Sequence, residues 1–472
     1  MALLCAPLPR CGRLVVLPLL LVSLAGRCCW AAGNGSGEGR ETEKYALVAD
    51  AGSTGTRAYL FRLAGSGARV EVTDCGKGPA LSSFQDAPDT AGAAIAAQLV
   101  KARGLIPEHY HAKTPVSVFA TAGMRLISPS VQDTIYKGLR AGILDLEGGF
   151  PFDVDRLDIR TISGREEGIF ALLAANYLSK HLHTTLRAAT GSLMGVLDLG
   201  GSSTQVAAPP SLSQGEHIAG KLGVEHTFVR SFLNLGMERM RQRTYQRFID
   251  RASAVARARN SVPNPCSFYG YTEQGEQWRG TGEAEACEAA VVQVLQEERA
   301  QCTAKSPDVA NDCLSSKPVP VPQGGEEASA KFFLISGYMY VTDFAGWLLK
   351  QPNILPEGFS RPEGDRPLAM PTIKELREAA AVLCSESWER LSLPAMDPAK
   401  KHRFTPPKKV PHRCFEINYI VALLSTGYGF KADERLFHIV DDIDGGEIEW
   451  TLGAFLHGLD AAARGARAAY EL

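Results

Sequence analysis

One eight-residue pattern occurs twice in this chain, and the repetition limits what the chain can fold into more tightly than any other feature. An apolar run at 45–49 ends in Asp50-Ala51-Gly52-Ser53-Thr54-Gly55-Thr56-Arg57, and another at 194–197 ends in Asp198-Leu199-Gly200-Gly201-Ser202-Ser203-Thr204-Gln205. Each copy reads as a buried strand stopped by a carboxylate, then one small or apolar residue, a glycine and a hydroxyl-rich turn. A single copy would be an ordinary glycine turn whose aspartate bonds its own backbone. Two copies in the same order, about one domain's length apart, imply an internal duplication in which each half contributes one loop.

The chemistry of both loops favours phosphate. Glycine at Gly52, Gly55, Gly200 and Gly201 lets the backbone adopt positive φ and come close to an anion. Successive N–H groups then form an anion-binding nest, and Ser53, Thr54, Thr56, Ser202, Ser203 and Thr204 add hydroxyl donors. Asp50 and Asp198 would repel phosphate directly, so they imply a hard divalent cation, Ca2+ or Mg2+, held mostly through its waters. No GxxxxGK[ST] run is present, which removes Walker-type binding. A calcium-loop look-alike, Asp441-Asp442-Ile443-Asp444-Gly445-Gly446-Glu447, fails as an EF-hand because Val440 and Thr451 fall where the first and twelfth ligands belong.

The 472 residues suffice for two or three domains, and 45% hydrophobic with 22% charged residues is a globular balance. A net charge of −2 without a basic run argues against nucleic acid as a partner. Residues 1–32 read as a secretory signal or N-terminal anchor: Arg10 and Arg13 precede a short apolar stretch that Arg27 cuts off. Membrane attachment is expected only if that segment is retained. Seven cysteines lie beyond it, four within 266–313 and two at Cys384 and Cys414, which implies three bridges and a spare thiol. With no CxxC pair, zinc is the weaker reading. The sequon Asn34-Gly35-Ser36 agrees with the secretory pathway, the expected product being secreted or lumenal in Golgi or ER.

Strand-like runs at 45–49, 58–63 and 116–120 alternate with helical ones such as 91–102, the signature of an α/β fold. A helix over 166–179 and a strand over 192–199 open a second unit. Segment 263–323, rich in cysteine and proline and without clear periodicity, reads as a disulfide-tied insertion. The proline- and lysine-rich stretch 393–412 reads first as a solvated loop, with a phosphate-binding patch as the alternative.

The two loops, with three further segments in order, resemble the signature segments of the apyrases, the nucleoside triphosphate diphosphohydrolases. Ala120-Thr121-Ala122-Gly123-Met124-Arg125-Leu126 looks like the second segment. Ser163-Gly164-Arg165-Glu166-Glu167-Gly168 with Asn176-Tyr177-Leu178 looks like the third, and Ser336-Gly337-Tyr338-Met339-Tyr340-Val341-Thr342-Asp343-Phe344 is similar to the fifth; Trp450-Thr451-Leu452-Gly453 also fits. The resemblance implies two actin-like (ribonuclease H-like) domains with a nucleotide cleft between them. Domain I would be 45–163 with the return of 432–472, and domain II 164–431 including the insertion 263–323.

It also implies metal-dependent hydrolysis of the terminal phosphates of nucleoside tri- and diphosphates to nucleoside monophosphate and phosphate. By resemblance Glu167 takes the proton of the attacking water, with Glu166 its rival; Ser203 and Gln205 hold that water or a terminal phosphate oxygen, and Arg57 with the loop amides steadies developing charge. Thr121 and Trp450 would join Asp50 and Asp198 at the cation's water shell, and Tyr340 would be the platform for the base; Arg125 reads equally as a structural ion-pair partner. The bridges it implies are Cys266–Cys302, Cys287–Cys313 and Cys384–Cys414, with Cys75 free or its bridge lost. Gly55 looks like the soluble and Golgi diphosphatases and the four-cysteine insertion like the cell-surface members. A lumenal diphosphatase preferring UDP or GDP is therefore the alternative, and a non-hydrolytic or kinase-like nucleotide-binding member of the fold is the third reading.

Overall fold

A computed structural model describes residues 43–65, 69–188, 193–209, 226–305, 313–314, 318–322, 331–351, 368–393, 397–440, 442–443 and 446–463. The expected leader and sequon lie outside the described residues. Two five-stranded sheets carry the fold. The first takes β1 (Lys44–Gly52), β2 (Gly55–Leu63), β3 (Val70–Gly78), β4 (Pro115–Ala120) and β5 (Asp153–Thr161) in the spatial order β3-β2-β1-β4-β5.

The second contains β6 (Gly195–Leu199), β7 (Ser203–Ala208) and β8 (Phe228–Leu233). A separate parallel pair, β9 (Val262–Asn264) and β10 (Trp278–Gly280), precedes its last two strands, β11 (Phe332–Ser336) and β12 (Phe437–Ile439). Its order, β12-β11-β6-β7-β8, repeats the first read from the other edge. The sense repeats as well: the first three strands of each half pair antiparallel, and the last two add parallel to the central one. Tight turns suffice for the antiparallel part, whereas parallel pairing needs crossovers, which here contain helices. The duplication visible in the two loops thus extends to the whole topology.

Both loops are hairpin turns. Gly52 pairs with Gly55 around the two-residue turn Ser53-Thr54, and Leu199 pairs with Thr204 around Gly200–Ser203. In register, Asp50 faces Arg57 and Asp198 faces Gln205. β1 is buried almost continuously because it is the central strand of its sheet, covered on both faces.

The helix Gly164–Leu178 begins with a capping box, Ser163 accepting from the Glu166 N–H while the Glu166 carboxylate accepts from the Ser163 N–H. It is buried over Ile169–Ala175 because the helix Trp450–Ala463, near the end of the described chain, packs along it as well as on β1 and β2. Gly453 makes that crossing possible: a Cβ there would run into the carbonyl of Phe170. A core of Phe61, Phe170, Val196, Phe333, Trp450 and Phe455 therefore draws on both halves.

Three expectations change. The bridges are Cys266–Cys287, Cys302–Cys313 and Cys384–Cys414, so only the last of the expected pairings forms, and Cys75 is free and buried. Segment 263–323 is not irregular throughout: Ala284–Lys305 is a 22-residue helix that buries Cys287, Val291, Val294 and Leu295 in the core of the second half. Residues 437–439 pair with β11, so the second sheet is completed from chain that the family pattern suggested for the first half. No helix among the described residues is long and apolar enough to cross a membrane.

Candidate active site

The carboxyl ends of the two central strands, β1 and β6, open into one cavity of about 630 Å³, within the usual range for a ligand site. The loops meet there. A Cβ on Gly201 would lie 3.1 Å from Ser53 Oγ and 3.6 Å from Thr54 Cγ2. Asp50, Gly52, Ser53, Thr54 and Arg57 line the cavity from one half, and Asp198 with Gly200 through Ser203 from the other. Thr121, Glu167, Tyr340 and Trp450 also line it, whereas Gly55, Thr56, Thr204 and the buried Gln205 do not.

Two expected hydroxyls are spent on the backbone. The Thr56 hydroxyl donates to the carbonyl of Pro79 at 2.8 Å, and the Thr204 hydroxyl to the carbonyl of Asp198 at 2.7 Å, with Tyr428 Oη at 3.0 Å. Both threonines are fully buried braces that shape the turns from behind. Of the four loop glycines expected to take positive φ, Gly55 alone does, at 156°; it closes the first hairpin, where a Cβ would strike the Lys77 side chain.

At the floor sits Glu167, 7% exposed. Burial, with a smaller push from Asp198, drives its carboxyl up to about 7, against the opposing pull of the paired Arg125 guanidinium. Gln205 Nε2 donates to Glu167 Oε2 at 2.9 Å and to Ser203 Oγ at 2.9 Å, with Ser231 Oγ at 3.1 Å. Glu166 points elsewhere: besides its capping bond it takes Arg160 Nη2 at 2.8 Å. Adjacent helical residues differ by about 100° in direction, and here that difference separates cap from cleft.

Asp50 is held well above the usual carboxylate range, first by burial and then by Glu449, Glu167 and Asp198. Its Oδ1 is buried without a hydrogen-bond partner. Burial also raises Asp198, while hydrogen bonds from Ser336 and the Leu199 backbone hold it back. Two carboxylates of one sign, Asp198 buried and Asp50 half-buried with an orphaned oxygen, suit a cation. No group of three His, Cys, Asp or Glu side chains among the described residues forms a ready metal cage. The residues therefore fit a cation that keeps most of its waters, held by Asp50 and Asp198 with the Thr121 hydroxyl. Trp450 has only an N–H to offer, and its ring stacks on Phe119 and Phe170 at 6.5 and 6.3 Å. It shapes the wall and can hold at most a water.

The basic residues of 393–412 follow the second of the two sequence readings in facing a cavity. Arg403, Lys408 and Lys409 line the cavity, so the stretch 393–412 is not simply a solvated loop, and Lys77 faces it from β3. Lys409 pairs with Glu238. Phe404 packs against Tyr340 with ring centroids 5.9 Å apart.

Residues 37–464 match the GDA1/CD39 (nucleoside phosphatase) family, which is nearly the whole chain. The chain belongs to the GDA1/CD39 nucleoside phosphatase family. It is an enzyme of that family, with an α/β fold built on two five-stranded sheets of the same topology. It is similar to the guanosine-diphosphatase of Schizosaccharomyces pombe, 27% identical over 88% of this chain and 74% of that protein. It is also similar to ectonucleoside triphosphate diphosphohydrolase 2 of Gallus gallus, 26% identical over 95% of this chain and 89% of that one. Among solved structures, the nucleoside triphosphate hydrolases of Neospora caninum share the fold at a TM-score of 0.55 and 17% identity, over 91% of this chain and 94% of that chain.

One cavity thus brings together Glu167, the turns of both loops and the side chains of Lys77, Arg403, Lys408 and Lys409.

Proposed function

We propose that this nucleoside phosphatase is an extracytoplasmic apyrase that removes terminal phosphate from nucleoside tri- and diphosphates, leaving nucleoside monophosphate. The observation that carries this is the convergence of both loops over Glu167 and Gln205. N–H groups of the turns 52–54 and 200–202, with the hydroxyls of Ser53, Thr54 and Ser202, cradle the terminal phosphate. Ser203 and Gln205 orient a water, and Glu167, held near 7 and bridged to both through Gln205 Nε2, accepts its proton as attack proceeds. A weak base suffices because phosphoryl transfer passes through a loose transition state in which positioning and charge neutralisation dominate. Arg57 adds positive charge at the loop. A divalent cation, Ca2+ or Mg2+, held by Asp50, Asp198 and Thr121 through water would neutralise phosphate charge. Tyr340, an aromatic on the wall, suits any base.

The three disulfides support an oxidising compartment, secreted or lumenal. For domain limits we place the crossing after β12, with the helix Trp450–Ala463 returned to the first half. A diphosphatase reading draws on the guanosine-diphosphatase likeness. Phosphate release from ATP, ADP, UDP and GDP with each cation decides between the two: comparable tri- and diphosphate turnover is expected, and fast UDP or GDP turnover beside negligible ATP turnover would replace the apyrase reading.

A further inference from the structure

His402 is a buried histidine that the hydrolytic site does not use. Its side chain is 3% exposed, and both ring nitrogens are taken: Nε2 lies 3.1 Å from Asp343 Oδ2 and Nδ1 2.8 Å from Thr405 Oγ1. The neighbours fix the tautomer. Arg413 Nη2 can only donate, and it reaches Thr405 Oγ1 at 2.9 Å, so the hydroxyl proton is left for Nδ1 while Nε2–H serves the Asp343 carboxylate. Arg413 in turn pairs with Glu416, a second buried charge. Around the imidazole stand the rings of Phe344, Trp347 and Phe404, with centroids at 5.4, 5.9 and 6.2 Å.

This relay joins two walls of one cavity. Asp343 belongs to the helix Gly337–Leu349, which carries Tyr340 to the active-site cavity, and His402 opens the stretch that carries Arg403, Phe404, Lys408 and Lys409 to the same cavity. That stretch has no ladder to hold it. It runs from the four-residue helix Pro398–Lys401 to the 3-10 helix Pro407–His412, and the N–H groups of His402, Thr405 and Lys409 bond carbonyls within it, those of Pro398, His402 and Pro406. Side chains therefore set where it lies, and His402 is the tie next to Phe404 that reaches the helix bearing Tyr340. His402 and Asp343 also line a second cavity, of about 260 Å³, through which a small solute can reach the imidazole position.

We infer that His402 is a positioning residue that pins this stretch to the helix Gly337–Leu349 and so holds Phe404 beside Tyr340, where the base of the nucleotide binds. The inference rests on the reading of Tyr340 as the platform for the base. A histidine between a carboxylate and a hydroxyl is also the outline of a nucleophilic triad. That role fails here, because Thr405 is 1% exposed, lines neither cavity and already accepts from Arg413.

The test is steady-state kinetics with ADP on the full chain, comparing His402→Ala, Phe404→Ala, the double variant and Tyr340→Ala. His402→Ala should raise KM about tenfold with kcat within about threefold, and millimolar imidazole should bring KM back to within about threefold of the wild type. In the Phe404→Ala background the His402 change should add less than about twofold to KM, because its effect passes through that ring. If His402→Ala does not fold, Thr405→Val, which removes the hydroxyl at one end of the relay, is read in its place with the same KM and coupling expected. An unchanged KM, a loss that falls on kcat instead, no response of His402→Ala to imidazole, or equal effects with and without Phe404 would each overturn the inference. Tyr340→Ala tells the two failures apart: an unchanged KM there removes the platform and this inference with it, whereas a KM raised there but not in His402→Ala removes this inference alone.

Discussion

Glu166 and Glu167 carry the same side chain on consecutive positions, yet one caps a helix and the other lies at the floor of a cavity. The difference is direction and environment, and it makes Glu167 the residue to test. Glu167→Gln keeps the amide contacts and removes the base, so turnover should fall at least ~10²-fold with KM within about threefold; steady-state kinetics at saturating cation checks this, and near-normal turnover assigns the proton to another group. In the wild type, kcat/KM should climb along a limb centred near pH 7, because the base works only when deprotonated. The same group shapes stability. Its carboxyl is raised in the fold, so the folded state binds the proton more tightly than the unfolded one. That contribution is fully present below about pH 4.3, the ordinary glutamate value, and is lost as pH rises through about 7. Glutamine cannot ionise. The melting temperature of Glu167→Gln relative to wild type should therefore increase from pH 5 to pH 8, and a pH-independent difference would mean that burial does not hold the carboxyl neutral.

Elements differ in how far the chain announces them. The loops were legible because their chemistry is local: aspartate, glycine and hydroxyls in a fixed order have one sensible use, and duplication doubled the signal. The helix Gly164–Leu178 was legible as 166–179, whereas the Ser163–Glu166 capping pair that sets its start comes from the structure. Helix Ala284–Lys305 was not, since its buried positions, Cys287, Val291, Val294 and Leu295, are diluted by alanine, glutamate and glutamine. The pairing of four cysteines depends on where that helix lies, which spacing cannot tell. Thr56 and Thr204 look like donors in sequence, and only strand pairing shows their hydroxyls facing backbone carbonyls. The segment bearing Lys408 and Lys409 was equally opaque, because a lysine- and proline-rich stretch has the same composition whether it faces solvent or a cleft. Its direction comes from tertiary ties: Arg413 Nη2 donates to Thr405 Oγ1 at 2.9 Å, and Lys409 reaches Glu238. Glu238 in turn lies in the first turn of the helix Met237–Arg251, where the N–H groups of Met237 and Glu238 donate to the carbonyls of Gly200 and Gly201 at 2.9 and 3.0 Å. Lys408, by contrast, is exposed and makes no hydrogen bond or ion pair with described residues. Lys408→Ala should raise KM for a nucleoside triphosphate by about five- to tenfold, leave kcat within about twofold and flatten the dependence of kcat/KM on ionic strength. An unaltered salt dependence would show that the rim does not act on substrate.

At the scale of the molecule, two copies of one topology are useful only if they are held so that their loops meet, and the helix pair Gly164–Leu178 and Trp450–Ala463 lies where they are joined. The closest approach of that pair is at Gly453, set against the backbone of Phe170, and Trp450 on the cavity wall begins the same helix. Helix propensity and packing give opposite signs for Gly453→Ala. In an unobstructed helix, alanine would stabilise by about 1 kcal/mol over glycine. Here its methyl must displace the Phe170 carbonyl and the helix to which that carbonyl belongs, and forcing a group into a filled contact costs about 1–3 kcal/mol. Gly104 provides the comparison, because a Cβ there meets nothing within 4 Å. Gly453→Ala should lower the melting temperature and the temperature at which activity is lost by the same amount, while Gly104→Ala leaves both unchanged or slightly higher. If Gly453→Ala melted at or above the wild type, the two helices would not be in close contact at that point, and the convergence of the loops would need another cause.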